Sequence, residues 1–94
     1  MTIQQGLITA IESQLTLDIL YKGEWRTVEP HLLGVNRKGN VCLSAFQVSG
    51  GSGLSWRAYL VENIQQVALT DVTFNIREGY NPADATMVSI IASI

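Results

Sequence analysis

The sequence predicts a mainly β, single-domain fold, a small barrel or sandwich capped by a helix, on three observations. Short stretches of alternating apolar and polar residues recur along most of the chain, hairpin punctuation separates them, and the opening segment alone repeats its apolar residues at helical spacing. The 94 residues leave room for one core and no second domain. Closing the sheet into a barrel would remove the strand edges that it otherwise exposes.

Ile3, Leu7, Ala10 and Ile11 fall on one helical face, and Thr2 with Gln5 three residues on has the form of a capping box, so the chain opens with a short helix. Leu15, Leu17, Ile19 and Tyr21 then alternate with Thr16, Asp18 and Lys22 as a half-buried strand that Gly23 ends. Residues 25–35 read as a long strand bent near Pro30, because proline cannot donate to a ladder. Asn36-Arg37-Lys38-Gly39 has the chemistry of a type I turn that closes through a left-handed glycine.

Residues 41–48 form the return strand; its two faces, Val41, Leu43, Ala45 and Cys42, Ser44, Phe46, suit the core equally by polarity. The glycine- and serine-rich stretch at 49–53 is expected as a mobile hairpin tip. Residues 54–61 and 64–70 supply a fourth and a fifth strand, with a turn-like segment from Asp71 to Phe74. Asn81-Pro82-Ala83-Asp84 carries the cap, first-turn proline and early acid of one helical turn. The apolar run 87–94 is expected as a strand or docking segment, too short to cross a bilayer as a helix.

Composition narrows the function classes. Hydrophobic residues make up 47% and charged residues only 15%, against roughly 25% in an average soluble domain, which disfavours disorder. A net charge of -2 disfavours coating of duplex DNA, whose affinity comes from positive charge. One cysteine and one histidine supply neither an internal disulfide nor a four-ligand zinc site, and no carboxylates pair for acid–base work. No catalytic residues, metal or cofactor are therefore expected. The start of the chain lacks a basic, then apolar leader, so the expected compartment is the cytoplasm.

Taken in order, these residues resemble a WYL domain. Leu17-Asp18-Ile19-Leu20-Tyr21 is similar to the family's first strand, and Arg26-Thr27-Val28-Glu29-Pro30 matches its Arg-x-Val-x-Pro strand. At the Trp-Tyr-Leu signature this chain has Val41-Cys42-Leu43, keeping only Leu43, with Ala45 and Phe46 in the small-then-aromatic positions that follow. Arg57-Ala58-Tyr59 fits the basic-x-aromatic element, Ile64 the isoleucine after it, and Phe74 the phenylalanine that closes the unit. The resemblance covers residues 7–74 as the core of a single 1–94 domain, with 75–94 a C-terminal extension.

The resemblance implies a five-stranded Sm-like or SH3-like barrel with an N-terminal helix. It also implies a non-enzymatic ligand-sensing or regulatory module of bacterial or phage origin, since such domains are regarded as sensors of ligands, in several cases nucleic-acid fragments. A chain this short has no room for the helix-turn-helix that often accompanies them. The expected ligand is a small anion or a short single-stranded nucleic acid. The expected groove is formed by Tyr21, Arg26, His31, Ser44, Gln47 and Arg57. Arg26 and Arg57 carry that expectation, because a strand arginine beside buried residues needs an anionic or carbonyl partner. An internal ion pair with Glu29 or Asp18 would satisfy such an arginine equally well. His31 and Tyr21 suit stacking on a base, and Ser44 and Gln47 suit polar contacts; packing and solvent exposure explain the same residues without a ligand. The alternative is a homo-oligomeric or partner-binding module that uses the apolar C-terminal segment.

Overall fold

Thr2 caps the opening helix as its spacing requires: its hydroxyl accepts the Gln5 backbone N–H, and the Gln5 side chain accepts the Thr2 N–H at 2.8 Å. The computed structural model describes residues 1–50 and 53–94, so the middle of the glycine-rich tip, 51–52, lies outside the described residues. Helix α1 (Ile3–Ser13) leads into β1 (Leu15–Tyr21), β2 (Glu24–Asn36), β3 (Val41–Ser49), β4 (Ser55–Leu60), β5 (Ile64–Thr73) and β6 (Met87–Ser93), with a 3-10 turn at Val61–Asn63. All pairings are antiparallel, in the order β4-β3-β2-β1-β5, with β6 also on β2. The fold is therefore the expected small, mainly β, barrel-like domain with an N-terminal helix.

Strand β2, 13 residues long, holds two partners along one edge. Its first half pairs with β1 up to Val28, and its second half pairs with β6 from Leu32 to Asn36. The expected bend at Pro30 is a shift of register against β3 between Pro30 and Leu32. At the next corner, Gly39 donates to the Asn36 carbonyl and sits at φ +83, the turn that its sequence specifies.

Polarity left the two faces of β3 equivalent, and packing separates them. Leu43 and Ala45 face inward with Leu17, Ile19, Val28, Leu33 and Tyr59, and Leu7, Ala10 and Ile11 of α1 complete this core. Each of the leucine, isoleucine and valine side chains, fully buried, contributes about 1.5–3 kcal/mol of transfer free energy. The opposite face, with Phe46 and Trp56 as a cross-strand pair, is covered by the segment between β5 and β6.

Three expectations change. Strand β5 continues through Asp71 to Thr73, because β1 keeps pairing with it as far as Leu15. No helical turn forms at 81–84; the Asn81 side chain accepts the Ala83 N–H and the Asp84 side chain accepts the Thr86 N–H. These local side-chain bonds compete with the helix that the same residues could have started. The five strands expected become six: the C-terminal run takes the strand form that its apolar residues allowed, and it pairs within its own chain. Among the described residues no helix is long and apolar enough to cross a membrane.

At Gly34, β6 comes close to the β2 backbone. A Cβ added there would stand 2.5 Å from the Ser89 carbonyl oxygen and 3.2 Å from the Met87 sulfur. Gly34→Ala is expected to force β6 off β2 and to cost about 1–3 kcal/mol in urea unfolding, with faster amide exchange confined to β6. Unchanged stability and exchange would contradict this account of the glycine.

Candidate anion-binding site

The pleat brings the two candidate arginines to one side of the sheet. Arg26 lies opposite Ile19, and Arg57 lies opposite Ala45, so both share the inward face at one end of the barrel. Tyr21 pairs with Glu24 across a two-residue hairpin whose Lys22 and Gly23 both have left-handed backbone, φ 51 and 79. That is the type I′ geometry that fits the twist of the strands, and it sets Lys22 beside the arginines. The result is a cleft of about 460 Å³ with Tyr21, Lys22 and Arg26 on one wall and the run Trp56, Arg57, Ala58 and Tyr59 on the other.

Behind the cleft, Gln47 is fully buried and fully bonded. Its Oε1 accepts from the Tyr59 hydroxyl at 2.8 Å and from Arg26 Nη1 at 3.3 Å, while its Nε2 donates to the carbonyls of Gly50 and Gly53. An amide offers two acceptor and two donor positions, and all are used. The Tyr21 ring meets the Tyr59 ring edge-on at 5.0 Å, and its hydroxyl accepts the Leu60 N–H, linking β1 to β4. Burial pushes the Tyr59 phenol above its ordinary pKa, against the pull of the Arg26 and Arg57 charges, so at neutral pH it stays a donor.

The arginines themselves are incompletely satisfied. Arg26 meets Glu24 at 3.3 Å, not Glu29 or Asp18, which are engaged with Arg77 and with the Thr27 hydroxyl. Its Nε is buried without a partner, and so is the Nε of Arg57. Among the described residues the Arg57 side chain makes no hydrogen bond or ion pair. Buried donors are rarely left unbonded, and a guanidinium offers its fork most effectively to an oxyanion.

Two expected groove residues lie elsewhere. His31 has no solvent exposure and sits on the far side of the sheet, where its Nδ1 bonds the Glu29 carbonyl at 2.7 Å and its Nε2 accepts the Arg77 N–H at 3.0 Å. Trp56, Phe74 and Tyr80 surround the ring at 4.8 to 5.1 Å. Both nitrogens are occupied, so His31 fixes the chain's return segment and takes no ligand. Ser44 is half-buried on that same far face, between Leu32 and Ala58 in register. Lys22 and Tyr59 line the cleft although neither was among the expected groove residues. A lysine-glycine pair closing a two-residue hairpin was the available signal for the first; the basic-x-aromatic spacing from Arg57 was the signal for the second.

A larger hollow, about 540 Å³, lies between the β2–β3 tip and Ala85-Thr86. Two of its polar side chains are already committed: Arg37 donates to the Ala85 carbonyl, and the Asn36 side chain accepts the N–H groups of Lys38 and Asn40. Among the described residues no three His, Cys, Asp or Glu side chains cluster as metal ligands.

No protein-family model and no curated protein matches the chain. Among solved structures, proteasome accessory factor B/C (PafBC) of Arthrobacter aurescens superposes with a TM-score of 0.73 at 19% identity, over 86% of this chain and 13% of that one. At that identity the likeness is one of fold, and the WYL-like fold implied by the residue order is the fold observed.

Burial lowers the pKa of His31 below its ordinary 6.5; the Glu29 carbonyl and carboxylate oppose the shift and Arg77 adds to it. The unfolded chain therefore takes up a proton near pH 6.5 while the folded chain stays neutral. The stability this group contributes is complete above that pH and is lost as pH falls towards the lower folded-state value. Denaturation at pH 7.5 and 5.5 is expected to show a loss approaching at most about 1.4 kcal/mol per pH unit. The loss should shrink in His31→Gln; an equal loss in that variant would sink the assignment.

Proposed function

We propose that this domain is a non-enzymatic ligand-sensing or regulatory module that binds a small anionic ligand in the cleft between the β1–β2 hairpin and β4. One observation carries the reading: Arg26 and Arg57 arrive from different strands at one cleft, each with a buried Nε that no protein group satisfies. Lys22 adds a third positive charge, and Glu24 is the acid paired there. The fold shared with PafBC, a WYL-domain regulator, supports a sensing role in general. The chemistry shared by candidate ligands is a phosphate or carboxylate group, which a guanidinium fork binds through two parallel hydrogen bonds. Gln47 and Tyr59 act behind it by holding Arg26.

Titration with inorganic phosphate and with glutarate, followed by the arginine Nε–H resonances, tests this reading. Wild-type protein is expected to shift both Nε signals. Arg57→Gln should weaken binding by at least about tenfold while leaving the melting temperature within a few degrees. An Arg57→Gln chain that unfolds, or that binds as the wild type does, contradicts the reading; Arg57→Lys distinguishes loss of the fork from loss of charge.

The alternative, an assembly module, now rests on a different feature from a free apolar arm. Strand β6 is already paired to β2, but Val88 and Ile90 remain 62% and 47% exposed, and the strand carries no charge. Uncharged apolar edges favour pairing with another strand. On this reading light scattering finds a dimer that Ile90→Lys converts to a monomer; a monomeric wild type overturns it.

A further inference from the structure

The free edge of β4 forms one wall of the cleft, and its backbone is directed into it. The Leu60 N–H donates to the Tyr21 hydroxyl and so points away from β3. Along an antiparallel strand this direction alternates, which turns the N–H and C=O of Ala58 and Trp56 outward as well. Both residues line the cleft, β4 ends the sheet, and among the described residues nothing bonds their N–H groups. Unpaired ladder groups and unsatisfied guanidinium groups thus face the same space.

We propose that the cleft's ligand is an extended acidic peptide. It would add a short strand to the edge of β4 at Trp56 and Ala58 and set a carboxylate against Arg26 and Arg57. This rests on the anion-binding reading above and names the class of anion. Charge complementarity selects the occupant: Lys22, Arg26 and Arg57 face it, and the Tyr21 hydroxyl closes the edge at Leu60, so the segment spans about three residues. Alternate side chains of an added strand point the same way, so acids two apart would both face the arginines.

The same walls offer a nucleic acid little. Stacking of bases needs exposed ring faces. The Trp56 ring is turned to the far side of the sheet, stacked with Tyr80 and donating to the Glu78 carbonyl. Tyr21 and Tyr59 are buried. Trp25 is 49% exposed, but it precedes Arg26 on the strand and so points to the opposite face from the cleft.

The test uses the full chain and three probes: a blocked pentapeptide of alternating alanine and glutamate, the same peptide N-methylated at alternate residues, and pentathymidylate. The plain peptide is expected to protect the Ala58 amide from exchange and to bind tighter than pentathymidylate. N-methylation is expected to weaken it by about tenfold, because it removes the backbone donors, and Arg57→Gln should weaken both peptides. Equal binding of the methylated peptide, or tighter binding of pentathymidylate, overturns the peptide assignment and leaves the anion site standing. Failure of all three probes, together with failure of inorganic phosphate in the titration described above, overturns both.

Discussion

His31 is closed off from water, and each of its ring nitrogens must therefore find a partner inside the protein. It does so by joining the middle of β2 to the segment that returns from β5: one nitrogen bonds the Glu29 carbonyl, the other accepts from Arg77. Its own carbonyl accepts the Ile94 N–H at 3.0 Å, beyond the end of β6. Arg77 then lies over the Phe46 ring at 4.2 Å and holds the Glu29 carboxylate through both nitrogens of its fork. The rest follows from this fastening. With the return segment held down, the far face of β2 and β3 is covered, β6 reaches the free half of β2, and β2 is buried on both faces from Val28 to Gly34.

Covering one face also decides what the other can be. A small domain buries a limited share of its surface, and here the inward face holds aliphatic residues and Tyr59 along most of its length. Its polar end is the exception. Arg26 and Arg57 stand there on inward positions, where an apolar side chain would have added to the core. Gln47 is buried with every hydrogen-bonding position filled, and much of its capacity goes to holding Arg26 and Tyr59. Replacing such a network with apolar residues often stabilises a fold, so on the proposed reading its presence at a cleft with unsatisfied donors serves binding rather than stability.

Elements whose signal is local were legible in the sequence. The capping box of α1, the alternation of β1 and the turn at Asn36 to Gly39 depend on neighbouring residues, and each formed. The placement of Arg26 and of Arg57 beside buried residues was legible for the same reason, because period-two alternation sets the face of each strand; their sharing one groove was expected from the resemblance. His31 was misplaced because it was chosen for the chemistry of its ring; period-two alternation already sets it, five residues from Arg26, on the opposite face with Glu29. The 81–84 turn was misread because asparagine and aspartate cap helices and close turns with the same oxygen atoms. Pairing of β6 with β2 depends on contacts about 50 to 60 residues apart in sequence, and no local pattern encodes them.

The charge count takes on a different meaning once the acids are located. There are 6 basic and 8 acidic residues, and a uniform distribution would leave no cationic surface. The structure does not distribute them uniformly. Glu29 is held by Arg77 on the far face, Asp18 accepts the Thr27 hydroxyl, and Asp84 is used within its own turn. Among the described residues Glu24 is the acid that pairs with a cleft arginine, and its side chain is 55% exposed, so water screens its hold on Arg26. An incoming carboxylate or phosphate would displace a weak, solvated partner and meet the buried Nε atoms that Glu24 leaves unbonded. A net negative charge is therefore compatible with the proposed anion site, because the acid paired with its arginines is a solvated one and Glu29, Asp18 and Asp84 are engaged elsewhere in the fold.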